Sequence, residues 1–234
     1  MLLLFETMKS MKHILSTVLL LALCLPAVAN EPEPAASIYV KVGSGTRLGK
    51  PGGDTELDRK HSEKLSKGFS SQVELVFNSP SIFKTGLIFN NLHSTAVDRV
   101  LVTYTDGSQA TGDMTDIVDI WSLAPATYLG GKMAGNRLGY SMGVGVGIMG
   151  IRDKGSILDY AVVKSGFCMG SVVEVNLEYF VTSKLSIGFT SSLLVGQLTS
   201  YNTKEVSTGN IQKTTNASEP ISHIDAMLSV AFAF

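Results

Sequence analysis

Residues 93–98 contain the side chain types that a hydrolytic site would need. His93, Ser94 and Thr95 are consecutive, and Asp98 follows them. A hydroxyl becomes a nucleophile when a histidine beside it accepts its proton and a carboxylate orients that histidine. Ser94 is the immediate neighbour of His93, however, and adjacent residues of a regular strand point to opposite faces. This geometry favours a polar strand end that leads into a loop over a catalytic site.

A second candidate group consists of charged residues that we assign to the less apolar face of alternating segments. They are Lys41, Glu74, Asp119, Glu174, Glu178 and Asp225. Charges that face one enclosed space could line a polar path or gate for a solute. They could also pair with one another and plug that space, because pairing offsets the cost of burying them. The elements that carry these residues decide between the two interpretations.

The remaining residues predict no cofactor. After loss of the N-terminal segment described below, Cys168 is the one remaining cysteine, which excludes an intrachain disulfide and a cysteine-based metal site. The glycines of Gly143-Val-Gly-Val-Gly147 lie inside an alternating segment and open no helix, as a nucleotide-binding loop would require. With 19 basic and 20 acidic residues the net charge is −1, so we expect no nucleic-acid partner.

Residues 1–29 have the organisation of a secretory signal peptide. Lys9 and Lys12 precede an apolar run from Ile14 to Leu25, and Ala27-Val28-Ala29 supplies the small residues at which cleavage occurs. We expect cleavage after Ala29, a short periplasmic segment over residues 30–36 and one domain over residues 37–234. No later apolar run approaches the roughly 18 residues that a transmembrane helix needs.

The exported chain is unusually rich in apolar residues, and its fold must accommodate them. The chain of 234 residues is 44% hydrophobic and 17% charged, with a mean hydropathy of +0.23, whereas soluble domains are about 25% charged. A soluble β protein and a membrane barrel are the two options. From residue 223 onward every second residue is apolar, and the intervening ones are small or polar. Leu138 to Met149 alternates bulky residues with glycine and serine and carries no charge, which favours the barrel.

Eight segments are assigned as strands, and their connections are alternately long and short. The sequence therefore predicts an all-β fold: an eight-stranded antiparallel up-and-down transmembrane β-barrel with short periplasmic turns and long extracellular loops. Val100 to Tyr104, before Asp106-Gly107, is consistent with a strand that continues beyond the membrane as a hairpin. Side chains just fill the interior of an eight-stranded barrel, which favours a plug over a polar path.

Three segments resemble the small outer-membrane β-barrels of Gram-negative bacteria, the OmpX/OmpW-like group. They are the strand Gly143–Gly147, the hairpin Glu178–Gly188 and the final Asp225–Phe234. The resemblance implies an outer-membrane location and contact with outer-membrane lipid, including lipopolysaccharide. Phe234, with Phe232 two residues before it, resembles the signal that the barrel-assembly machinery reads, which implies that machinery as a partner.

These observations predict a non-enzymatic protein with a structural or surface-interaction role, carried out through the long extracellular loops and an extracellular ligand that they bind. Two alternatives remain open. One is a narrow pore or transporter for small or apolar solutes. The other is an enzyme that modifies lipid A, since His93-Ser94-Thr95 is similar to the His-x-Ser arrangement of lipid A deacylases, with Thr95 where serine would sit.

Overall fold

The computed structural model describes residues 34–49, 56–78, 83–133, 137–158 and 160–234. The predicted signal peptide and residues 30–33 of the predicted periplasmic segment lie outside the described residues. Within the described ranges, no helix is both long and apolar enough to cross a membrane.

Nine strands and one helix make up the described part of the chain. The strands are β1 Ala36–Arg47, β2 Lys67–Phe77, β3 Phe83–Thr103, β4 Gln109–Met133, β5 Leu138–Ile157, β6 Tyr160–Phe180, β7 Leu185–Glu205, β8 Ile211–Pro220 and β9 His223–Ala233, and the helix, α1, is Glu56–Leu65. Each strand from β1 to β7 pairs antiparallel with the next, and β9 pairs with both β7 and β1. β8 and β9 pair with successive parts of β7 and together act as one interrupted strand. The ring therefore has eight strands, and the predicted fold is confirmed.

The alternation predicted for the last strand is also present. Met227 and Asp225 on the inner face of β9 are at most 1% exposed, whereas Leu228 on the outer face is 69% exposed. An apolar outer belt follows the same period through the other strands, with Val40, Phe89 and Val146 among its exposed residues. Since every second residue of a strand faces the same side, this belt is continuous around the wall.

Glycines on the inner face of β5 allow neighbouring groups to approach closely. A Cβ atom at Gly147 would lie 2.1 Å from the backbone oxygen of Leu123 on β4. At Gly143 it would lie 2.7 Å from the ring of Tyr128, which is buried in the interior. Larger residues at these positions would displace β4 or the tyrosine ring, so the glycines permit a tightly filled interior.

The two ends of the barrel differ in construction. Ala36 and Phe234 exchange backbone hydrogen bonds of 3.0 and 2.9 Å, so the first and last strands meet at the end that also carries the connections after β2, β4 and β6. We call this the terminal end. The opposite, outer end carries the hairpins β3–β4, β5–β6 and β7–β8 and the helix α1.

Most of the long outer connections are extended strands. β3 and β4 pair as far as Thr103 and Gln109, and Gly107, at a φ of +83°, closes the turn between them. The hairpin predicted around Asp106-Gly107 is confirmed. Only two residues separate β5 from β6, and β7 and β8 also form a hairpin. The fourth long connection, between β1 and β2, contains α1, which packs mainly on β3. The outer surface is therefore built from regular elements, because backbone pairing between neighbouring strands continues beyond the belt.

Candidate functional site

The inside of the barrel contains a polar cluster centred on Lys41 of β1. We call it the Lys41 cluster, and its members are Lys41, Gln72, Glu74, Glu174 and Asn176. All five side chains are at most 3% exposed. The ammonium group donates to Glu74, to Asn176 Oδ1 at 2.9 Å and to Glu174 Oε1 at 3.3 Å. One cation thus joins three strands across the lumen.

The amide side chains complete the hydrogen bonding of the two glutamates. Gln72 Nε2 donates to Glu174 Oε2 at 2.8 Å and also to Glu74. Asn176 Nδ2 donates to Glu174 Oε1 at 2.8 Å, and Asn176 Oδ1 accepts a hydrogen bond from the Thr190 hydroxyl at 2.6 Å. Burying two carboxylates beside one ammonium group is costly unless other donors satisfy their oxygens, and these amides provide those donors.

Asp225 belongs to a second polar group that is continuous with the first. Asn90 Nδ2 donates to Asp225 Oδ2 at 2.9 Å and to Gln72 Oε1 at 3.0 Å, which links the two groups. His223 lies beside this pair, with its Nε2 3.2 Å from Asn90 Oδ1. Glu178 is nearer the terminal end, where Ser186 donates to its Oε2 at 2.9 Å. The structure therefore places five of the six predicted interior charges in the lumen.

The sixth, Asp119, is not in the lumen, and its predicted inward placement is wrong. Its neighbours Val118 and Ile120 are the buried residues of β4, at 1% and 0% exposure. Asp119 lies on the outer face, where its Oδ1 is 2.7 Å from His93 Nδ1 on β3. Both faces of β4 carry large apolar residues in this region, which is why alternation alone did not identify the inner one.

Apolar side chains fill the outer half of the lumen above the polar groups. The fully buried residues there include Leu92, Ile120, Met149, Leu194, Leu198 and Ile221. Leu65, in the last turn of α1, belongs to the same packed cluster. At the terminal end, a cavity of about 90 Å³ is lined in part by Tyr39, Glu74, Tyr128 and Glu178. A space of this size holds a few water molecules at most.

Helix α1 is fixed over the outer mouth by a group that the sequence analysis missed. We call it the outer-mouth cluster, and it consists of His61, Lys64, Asp98 and Asp116. His61 is 4% exposed, and its two ring nitrogens lie 2.6 Å from Asp98 Oδ2 and 2.8 Å from Asp116 Oδ2. Lys64 also pairs with Asp98. These contacts attach the helix to β3 and β4.

Two carboxyl groups at the outer mouth have shifted pKa values. Hydrogen bonds from Lys64 and His61 lower the pKa of Asp98, because both donors favour the ionised carboxylate. Burial, reinforced by the nearby charge of Asp116, raises the pKa of Asp153. The mouth is therefore a charged surface on which most charges are paired.

Among the described residues, no group of three or more histidine, cysteine or acidic side chains could hold a metal ion.

Several polar residues of these clusters were not predicted, and they differ in how strong a signal the sequence carries for each. Gln72 and Asn176 are each two residues from a predicted interior glutamate, so the alternation that selected the glutamates could also have selected them. The acidic first turn and basic last turn of α1 indicate a helix. Nothing in the sequence brings His61 to Asp98 and Asp116, because that contact depends on how α1 packs on the wall.

Comparison with known proteins supports the fold alone. No known protein-family description and no curated protein matches the sequence. Among solved structures, the chain is similar to Neisserial surface protein A, with 9% identity, a TM-score of 0.51, and coverage of 87% of this chain and 100% of that one. It is also similar to a major outer membrane protein from Thermus thermophilus, with 16% identity, a TM-score of 0.53 and coverage of 86% and 100%.

The closed eight-stranded ring, its apolar outer belt and these similarities define the class of protein. The chain has the fold of an outer-membrane β-barrel. The resemblance to the small outer-membrane barrels is confirmed at the level of the fold. At identities of 9% and 16% the solved structures carry no information about activity or ligands.

Proposed function

We propose that this barrel is sealed to solutes and has a structural and surface-interaction role at its outer end, with no enzymatic role for its interior. The observation that carries the proposal is the filled lumen. The Lys41 cluster occupies the middle of the barrel, and a layer of buried apolar side chains lies above it. To pass through the lumen, water would have to break paired charges and enter an apolar layer, and each step is unfavourable.

The outer end offers the surface for such a role. β8 is largely exposed along its length and, within the described ranges, pairs only with β7. Its Thr, Asn, Lys and Glu side chains and one open strand edge are available to a partner. The rigid hairpins and α1 take the place of the loops that the sequence analysis expected to bind an extracellular ligand. Rigid elements lose less conformational entropy on binding than loops do.

Two further partners belong to this proposal. The apolar belt would contact outer-membrane lipid, and the cations above it would face the phosphate groups of lipopolysaccharide. Phe232 and Phe234 are 50% and 57% exposed on the outer face of the final segment. This exposure supports a role as the sequence that the barrel-assembly machinery reads.

Conductance across a planar lipid bilayer tests the seal. The purified, folded barrel should produce no single-channel steps over a wide range of voltages, whereas a general porin included as a control should produce them. Reproducible steps from the folded barrel would overturn the seal. They would favour the alternative of a narrow pore.

Cysteine labelling on intact cells tests the outer location of the hairpins. In a Cys168→Ser background, Thr208→Cys places a thiol in the β7–β8 turn, and Thr182→Cys places one at the terminal end. A maleimide carried on a polymer too large for porins should label the first variant and spare the second. Labelling of Thr182→Cys, or equal labelling of both, would contradict the proposed orientation.

A further inference from the structure

Three side chains on the outer face of the barrel have the arrangement of a hydrolytic triad. His93 Nδ1 lies 2.7 Å from Asp119 Oδ1, and His93 Nε2 lies 3.4 Å from the hydroxyl of Thr95. The carboxylate is thus on one ring nitrogen and the hydroxyl on the other. This order lets the carboxylate fix the tautomer, so that Nε2 can accept the proton of the hydroxyl. The separation of 3.4 Å is longer than an ordinary hydrogen bond and has to shorten for proton transfer.

Ser94, the immediate neighbour of His93, is not the hydroxyl of this triad. Ser94 is 3% exposed and lies on the inner face, opposite His93. Thr95 is two residues from His93, so both side chains project from the same face of β3. The objection drawn from adjacent residues therefore does not apply to Thr95. Asp98, the carboxylate considered first, pairs with His61 and Lys64 and takes no part.

The triad lies where the apolar belt ends. On β3, the exposed apolar residues Leu87 and Phe89 precede Asn91 and His93. On β4, Leu123 and Trp121 lie on the outer face next to Asp119. Aromatic residues such as tryptophan mark the boundary between hydrocarbon and headgroups in membrane barrels. At this height the triad faces the region in which membrane lipids carry the esters that join their acyl chains to their headgroups.

Two cations lie on the next strand. Arg152 of β5 is the register partner of Asp119, and Lys154 is the partner of Ile117. Both side chains are exposed on the outer face, and neither makes an ion pair within the described part of the chain. A guanidinium and an ammonium group at this position suit a lipid whose headgroup carries phosphate.

We propose that Thr95, His93 and Asp119 form an acyl-ester hydrolase site that acts on phosphate-bearing membrane lipid. Thr95 and His93 would be catalytic residues, and Asp119 would be a positioning residue that acts through His93. This activity goes beyond the surface role proposed above. It concerns the lipid-facing wall and does not require the sealed interior to do chemistry.

The reaction balances with water as the second reactant. The Thr95 oxygen attacks the ester carbonyl carbon while its proton passes to His93 Nε2. The bond between the acyl carbon and the alcohol oxygen breaks, and the alcohol leaves with that proton, which gives an acyl-threonine. Water then attacks the acyl carbon, His93 accepts its proton and returns it to the threonine oxygen, and a free fatty acid is released.

The experiment measures release of fatty acid by the purified, folded barrel in mixed detergent–lipid micelles. One arm contains phosphatidylethanolamine and phosphatidylglycerol, and the other contains lipopolysaccharide, so the arms distinguish the two sources of phosphate-bearing ester. Mass spectrometry identifies the acid and the remaining lipid. Release in either arm supports the site and names the source. If fatty acid is released in neither arm, the proposal is overturned.

Matched variants test whether the triad is responsible. Thr95→Val and His93→Ala should each lower the rate at least about 100-fold, the scale of general-base catalysis. Thr95→Ser keeps the hydroxyl and should keep activity. Thr85→Val, another exposed threonine on the outer face of β3, is the control and should not change the rate. Release that persists in Thr95→Val would overturn the assignment.

Asp119→Asn gives a readout that a purely structural role would not change. Without the carboxylate, the His93 ring loses the hydrogen bond that fixes its tautomer and orientation, so kcat should fall while KM stays nearly unchanged. Each variant is first checked for the shift in gel mobility on heating that marks a folded barrel. An unchanged kcat, or a loss that appears only in KM, would contradict the positioning role.

Discussion

Lys41 is the one cation, within the described part of the chain, that pairs with both Glu74 and Glu174. Replacing it with methionine keeps most of the side-chain volume but leaves two buried carboxylates without their partner. We expect Lys41→Met to lower the free energy of unfolding by roughly 3–5 kcal/mol, the cost of breaking a buried ion pair from one side. Urea unfolding in lipid vesicles measures the change.

The matched control for Lys41→Met is Lys60→Met on α1. Lys60 forms only an exposed ion pair with Glu56, 2.8 Å long and four residues apart. Such pairs are worth at most about 0.5 kcal/mol. If Lys41→Met changed the free energy of unfolding no more than this control does, the pairing of Lys41 with Glu74 and Glu174 would not stabilise the barrel.

At the scale of residues, alternation predicted the interior charges wherever the two faces of a strand differ. The strands that carry Glu74 and Asp225 each have one apolar face and one polar face. Both residues belong to the polar face, and both lie in the lumen. β4 differs because the outer half of the lumen is itself apolar. Val118 and Ile120 are inside, while Ile117 and Trp121 are outside. When both faces are apolar, period 2 no longer identifies the inner one, and Asp119 was misplaced for that reason.

At the scale of elements, α1 depends on tertiary contacts. A helix of ten residues is marginal on its own in water, so its docking should determine its stability. We expect His61→Ala to increase amide hydrogen exchange over residues 56–65 at least about tenfold, since the ring bridges Asp98 and Asp116 and one such contact is worth about 1.5–3 kcal/mol. Lys60→Ala, on the exposed face, should leave the exchange unchanged. Unchanged exchange in His61→Ala would show that Lys64 and Leu65 hold the helix without His61.

The same docking should weaken in acid. The pKa of Asp98 is lowered in the folded chain, first by Lys64 and then by His61. A carboxyl group with a lowered folded pKa contributes stability above its unfolded pKa of about 3.9, and that contribution is lost as pH falls through the folded value. Exchange over α1, corrected for its intrinsic pH dependence, should therefore rise in this acid range. Asp98→Asn should remove the step, and a step that survives this substitution would contradict its assignment to Asp98.

The sequence did not predict the helix α1 or most of the extended hairpins at the outer end of the barrel. The segment between β1 and β2 is polar and was expected to be a loop, although the acid-to-base charge pattern of α1 was present in it. The extended hairpins were hidden for another reason. Beyond the belt both faces of a strand are wet, so the apolar signal that marks a strand disappears while the backbone pairing continues. Of these hairpins, the sequence analysis predicted only the one around Asp106-Gly107, from its turn residues.

At the scale of the whole molecule, the wall is much taller on one side than on the other. β4 has 25 residues and β1 has 12. At about 3.3 Å per residue these strands are roughly 80 Å and 40 Å long. A tilted strand needs only about 9–11 residues to cross a bilayer, so β1 spans the membrane and the longer strands continue well above it. The number of strands and their order followed from the alternating pattern, whereas this asymmetry depends on pairing between strands far apart in the sequence.

Closure of the ring brings Phe234 to the seam between the last strand and the first. Its backbone nitrogen donates to Ala36 at 2.9 Å, and its side chain is 57% exposed on the outer face. A side chain that faces outward adds little to the packing of the folded interior, so its removal should affect assembly more than stability. We expect Phe234→Ala to fold at nearly the normal rate into pure lipid vesicles. In vesicles that contain the barrel-assembly machinery, the acceleration seen for the unmodified chain should fall at least several-fold.

Phe77→Ala is the control for the effect of Phe234→Ala on assembly. Phe77 is 50% exposed on β2, and its register partner is Ala36, so it lies at the same end of the barrel and at a similar height. Both variants remove one lipid-exposed aromatic ring, which costs a similar amount of transfer free energy because that term follows apolar area. Any additional loss in Phe234→Ala must come from recognition of the chain end. If the two variants assembled equally well with the machinery present, the terminal phenylalanine would be an ordinary lipid-facing residue and not a signal.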